Sequence, residues 1–134
     1  MDLKTTFVVL HASKSAVPVA VTPALYEELD RRFKGFKGRS LVAVHRFTGN
    51  WPSWERHPAG EEVVCLLSGR ASLVLRHRSG NKVVRLQKPG SFVIVPKGIW
   101  HTARISTPTR MLFITPGAGT QNVSLADFRK RFPR

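Results

Sequence analysis

The chain has 134 residues, 22 Lys and Arg against 8 Asp and Glu, and a formal net charge of +14. That length can enclose one hydrophobic core without staples, and a single cysteine, Cys65, excludes an intramolecular disulfide framework. No apolar run is long enough for a membrane span, and "FVVLHASKSAVPVAV" is too interrupted by His, Ser, Lys and Pro to be a secretory leader. The expectation is one domain over 1–134 in the cytoplasm. The basic residues are spread along the chain, with no recognition-helix or aromatic-glycine RNA signature. The charge is therefore read as a solvated surface that attracts anions, not as a sequence-specific nucleic-acid interface.

In chain order, "TTFVVLH" (5–11) and "AVPVAVT" (16–22) are β-branched and predict two short strands. Pro18 removes a ladder donor and places the second at a sheet edge. "TPALYEELDRRF" predicts a helix near 23–33, with Thr22 available as a cap, acids ahead of bases, and the glycines of "KGFKG" to end it. From Arg39 onward strands alternate with turns. The candidates are 39–47, 61–68, 71–77, 82–87, 91–95, 100–106 and 110–115, broken by "LSGR", "RSGN", "KPGS", "VPKG" and "STPT". Turns about every ten residues point to an all-β sandwich or barrel. "SLADFRKRF" closes the chain as a short helix capped by Ser124.

The chemistry gathers around "WERHPAGEE", where three of the eight acids surround His57. Successive strand side chains point to opposite faces. Glu55 and His57 therefore share a face, as do Glu62, Val64 and Leu66, while Glu61 and Cys65 take the other side. In "WHTARI", His101 shares its face with Ala103 and Ile105, and Trp100 points away. Glu55, His57, Glu62 and His101 can thus meet in one interior. Two imidazoles and two carboxylates there need either mutual pairing or a metal, and their ligand types suit a divalent first-row ion. His45 shares parity with Ala43 and Phe47. With Trp51, Trp54, Trp100 and Arg104 it is a candidate for lining a pocket, and Arg104 could meet an anionic ligand. Cys65 is read as a buried, inert thiol.

Two stretches resemble the cupin superfamily, in its small single-domain bacterial form. The first motif of that family runs His-x-His, Glu, Gly; here the positions are Glu55, His57, Glu62 and Gly69. The second runs Gly, Pro, Gly, His, Asn; here Gly90, Pro96, Gly98 and His101 fit, and Ile105 stands at the Asn position. The resemblance implies a double-stranded β-helix, or jelly-roll barrel, over about 40–118. It also implies a homodimer, for which residues 5–22 are candidate interface, and a mononuclear site for Fe, Mn, Ni, Zn or Co. Glu55, His57, Glu62 and His101 would be the ligands. Family sites commonly use three His and one Glu, so Glu55 makes this set harder and more anionic. The implied function is a metal-dependent enzyme of dioxygenase or isomerase type. The alternatives are a metal-free cupin that binds or senses a small molecule, and a scaffold whose basic surface binds anions.

Overall fold

Alternating apolar strands bury one face each, and the chain satisfies them with two antiparallel sheets. The structure, a computed structural model, describes residues 1–133. One sheet has the order β2-β1-β3-β10-β5-β8, from Ala16–Ala20, Thr6–Leu10, Ser40–Phe47, Thr109–Thr115, Glu62–Ser68 and Phe92–Val95. The other has the order β11-β4-β9-β6-β7, from Gln121–Ser124, Ser53–Arg56, His101–Arg104, Ala71–His77 and Gly80–Leu86. Helix α1 (Leu25–Arg32) follows β2, and helix α2 (Leu125–Arg131) follows β11.

Between the sheets lies the main core, which includes Val64, Leu66, Leu73, Leu75, Val95, Met111 and Phe113. A second core lies where α1 covers the N-terminal strands: Leu25 and Leu29 pack with Phe7, Val9, Leu41 and Ala43. Gly69 shows how tightly the β5–β6 turn meets its neighbour. Its φ is +82°, and a Cβ there would run into Thr109 Oγ1 and the Pro108 carbonyl, so only glycine fits.

Strand expectations from 39 onward hold within one or two residues, and β2 is an edge strand as Pro18 requires. Ser124 caps α2, its hydroxyl accepting from the Asp127 N–H at 3.1 Å. The start of α1 differs from expectation. It opens at Leu25 with Ala24 as N-cap and no side-chain cap. The Thr22 carbonyl instead accepts from the Leu25 N–H at 3.1 Å, so a backbone turn does the capping. Strand β4 (Ser53–Arg56) is not among the expected strands, and neither is β11. "QNVS" has no apolar alternation and exists as a strand because it pairs with β4, Val123 opposite Trp54. Cys65 is half-buried on the outer face, not in the core.

That outer face of the six-stranded sheet is apolar across five strands. Cross-strand register aligns Val8, Val42, Ile114, Val63 and Ile94 in one row. Val44, Leu112, Cys65 and Phe92 form the row beside it. Phe92 is 59% exposed and Ile94 49%.

Candidate metal centre

Glu55 is the third residue of a four-residue strand, β4, whose register sets it directly opposite His101 at the start of β9. His57 lies just past β4 and keeps the same inward direction. Its carbonyl accepts from the Gly98 N–H at 3.0 Å, which ties the two motif loops together. Gly98 has φ +75°, the left-handed conformation that turns the chain toward His101. These three residues come from one sheet. Glu62 comes from β5 in the facing sheet, so the cluster bridges the two layers.

One ligand atom from each of the four lies within 4.8 Å of all the others. His57 Nε2 is 3.1 Å from Glu55 Oε1 and 3.2 Å from Glu62 Oε2. His101 Nε2 is 3.1 Å from Glu62 Oε1 and 3.6 Å from Glu55 Oε1. His57, Glu62 and His101 are buried, at 4%, 1% and 0% exposure. The other ring nitrogens are occupied: His101 Nδ1 lies 3.0 Å from the Ile99 carbonyl and His57 Nδ1 2.8 Å from Thr120 Oγ1. The Ile99 carbonyl can only accept, so it fixes the proton on His101 Nδ1 and leaves Nε2 facing the cluster. The Thr115 hydroxyl donates to Glu62 Oε2 at 2.6 Å.

The donor set fits a cation. Despite their 3.1 Å separation, Glu62 Oε1 and His101 Nε2 have no hydrogen-bond partner of acceptable geometry. Buried polar atoms rarely go unpaired, and an ion held among the four ligand atoms would give both a partner. Two carboxylates and two imidazoles suit a divalent transition metal.

Without an ion, the four groups perturb one another. Burial opposes the charge on both histidines, but the carboxylates of Glu55 and Glu62, 3.1 to 3.6 Å away, outweigh it and raise each to about 9. Burial likewise opposes the carboxylates. The two imidazoles win there too, holding Glu55 down to about 2 and Glu62 below its usual value.

Beside the cluster opens a cavity of about 580 Å³ whose lining includes Glu55, His57 and Glu62. His45 and Trp51 line it. His45 Nε2 is 3.0 Å from the Tyr26 hydroxyl of α1. Burial lowers the His45 pKa against the pull of Glu55 and Glu62, keeping the ring neutral near pH 7. Trp54 and Trp100 do not line the cavity. Each alternates with an inward ligand and so faces outward under α2, where Trp54 stacks on Phe128 at 4.5 Å and Trp100 meets its edge at 5.4 Å. Arg104 is exposed, because Ala103 takes the inward position on β9. Glu61 is exposed on the face opposite Glu62.

Several residues at the site were not anticipated. Thr115 was legible in principle, since it shares inward parity with Met111 and Phe113 on β10. Thr120 sits in a loop, where parity gives no signal. Tyr26 reaches the cavity from α1 and Phe36 from the short turn after it, and no local pattern reveals where either docks.

Two antiparallel sheets closed around an inward His and Glu cluster define a cupin-type double-stranded β-helix. Comparison with solved structures supports this fold. A single-residue mutant of Bacillus subtilis oxalate decarboxylase superposes with a TM-score of 0.55 at 20% identity. The match covers 70% of this chain and 26% of that one, so the chain spans about a quarter of that enzyme's length. An uncharacterised conserved protein with a double-stranded β-helix domain from Klebsiella pneumoniae gives a TM-score of 0.52 at 26% identity, over 63% of this chain and 75% of its own. A cupin-2 domain protein from Shewanella frigidimarina aligns at 21% identity with a TM-score of 0.49, covering 57% and 70%. No protein-family model matches the sequence, and no curated protein does.

Proposed function

We propose that Glu55, His57, Glu62 and His101 hold one divalent transition-metal ion, and that the adjoining cavity binds a small molecule at it, as a metal-dependent enzyme of dioxygenase or isomerase type would. The observation that carries this reading is the gathering of four ligand atoms within 4.8 Å of one another, where buried Glu62 Oε1 and His101 Nε2 lie 3.1 Å apart without a hydrogen bond of good geometry. Solved relatives of this fold include oxalate decarboxylase, described with Mn(II) centres. A bound ion would supply Lewis-acid or redox chemistry. The chain's own part is to keep the ligands oriented through Ile99, Thr115 and Thr120, and to give a ligand a largely apolar cavity. Residues 1–134 are read as one domain that works as a homodimer.

The mutual stabilisation of the two histidines and two glutamates favours a second reading, a metal-free cluster that organises a ligand-binding or sensing cavity. Elemental analysis after supplementation with Fe, Mn, Ni, Zn or Co separates the two. Close to one equivalent is expected in the wild type, none in His57→Ala or His101→Ala, and full loading in Glu61→Gln. Circular dichroism confirms folding. Folded wild type that stays metal-free would sink the first reading and leave the second.

A further inference from the structure

We infer that the cavity selects an uncharged, ring-bearing small molecule with a hydroxyl or carbonyl oxygen, and discriminates against small carboxylates. This rests on the proposed ligand-binding role of the same site.

The first ground is charge. The chain carries 22 Lys and Arg, yet among the described residues none lines this cavity. Apart from the proposed ligand His57, the charged groups that do are all acids: Asp30, Glu55 and Glu62. The two glutamates would offset a divalent ion, so a third carboxylate would enter with no cation left to pair with. Stripping a carboxylate of water without a counter-charge is expensive, whereas a hydroxyl needs only a hydrogen bond. The +14 surface concentrates anions around the molecule, but that field is not carried inward by any basic side chain. Steering at the surface and selection in the cavity therefore differ.

The second ground is the wall. Phe36, Phe47, Trp51 and Phe113 supply aromatic surface, with Leu29 and Leu41 beside them. Phe47, Trp51 and Phe113 pack mutually at centroid distances of 5.6 to 6.0 Å in tilted or edge-on arrangements. About 580 Å³ is ample for a single substituted ring.

The third ground is an unsatisfied donor. Trp51 is 8% exposed, and its indole Nε1 has no hydrogen-bond partner. A buried N–H without an acceptor is costly, and a small rotation of the indole toward the cavity would let a ligand oxygen satisfy it. Tyr26 and the neutral His45 offer a further polar contact at the cavity wall.

Benzyl alcohol, benzoate and benzylamine share a ring and differ in the charge of the head group. Each is titrated into the zinc-supplemented protein while the Trp51 indole N–H is followed by NMR, that signal being assigned with Trp51→Phe. Benzyl alcohol is expected to shift it and to bind at least tenfold more tightly than either charged probe. No shift with benzyl alcohol, or a preference below tenfold over benzoate or benzylamine, would overturn the inference. Zinc content of the same sample keeps the two proposals apart. Zinc bound without a benzyl alcohol response removes only the ligand class, and a benzyl alcohol response without zinc removes only the metal.

Discussion

His57 and His101 each face two carboxylates, which makes the cluster a pH-dependent element of stability as well as a ligand set. In the metal-free protein both imidazoles are raised from 6.5 to about 9. Their contribution is full below 6.5 and is lost as pH rises through about 9. The carboxylates are depressed from 4.5, so theirs is full above 4.5 and is lost as pH falls, through about 2 for Glu55. Calorimetry of the metal-free protein should show the melting temperature falling as pH rises from 6.5 through about 9, a window set by those histidine shifts. Metal demands neutral imidazoles, so the stabilisation it adds should grow over the same interval. A flat metal-free profile would contradict the pairing. Thr115 tests the support around the ligands: without its hydroxyl, Glu62 Oε2 loses a 2.6 Å donor. Thr115→Val should weaken zinc binding roughly tenfold at unchanged stoichiometry, in the range typical of groups that orient metal ligands. A titration reads both quantities.

At the scale of the element, parity was legible wherever a strand is short and regular. Glu55 and His101 face each other because β4 and β9 alternate as their residues imply, and Glu62 follows the apolar beat of β5. The same rule already placed Trp100 opposite His101, and the structure extends it to Trp54. What parity could not show is what covers the far face. There α2 lays Phe128 over both tryptophans, with an Arg56 guanidinium 5.0 Å from the Trp100 ring. Phe128→Ala should cost about 3 kcal/mol, as loss of a buried aromatic does, while leaving metal stoichiometry intact, since the helix touches the reverse side of the ligand strands. Chemical denaturation with parallel metal analysis checks both halves. Turn chemistry was equally legible, but its cost was not. Gly69→Ala should destabilise more than Gly98→Ala. Both have positive φ, but a Cβ at 69 also strikes backbone, while nothing lies within 4 Å of one at 98. The docking of α1 lay beyond any local pattern. Its buried Leu25 and Leu29 announce an apolar face, but only the assembled sheet determines that Tyr26 and Phe36 come to the cavity.

For the molecule as a whole, the proposed homodimer would use the outer face of the six-stranded sheet. The row from Val8 to Ile94 crosses five strands without a charge, and contiguous apolar surface of that kind is characteristic of interfaces. Val8 belongs to β1, inside the 5–22 segment expected at the interface. Light scattering at micromolar concentration should give twice the 15.0 kDa chain mass. The double variant Phe92→Asp with Ile94→Asp should give the single mass with unchanged circular dichroism, because both side chains point away from the core. A wild-type monomer would rule the dimer out.

The seam between β4 and β9 is the narrowest join in its sheet: a single residue pair, Glu55 with His101, defines its register. Around it are only isolated stitches, such as the Thr102 hydroxyl donating to the Ser53 carbonyl at 2.9 Å and the Trp51 N–H donating to the Ala103 carbonyl at 3.0 Å. An ion gripped by that pair, and by Glu62 across the interior, would act as a clasp on this narrow join. Occupancy would then be written in the tempo of local opening. Amide hydrogen exchange in 53–56 and 101–104 should slow markedly on loading with zinc, while β6–β7, joined by seven register pairs, should exchange at the same rate with or without it.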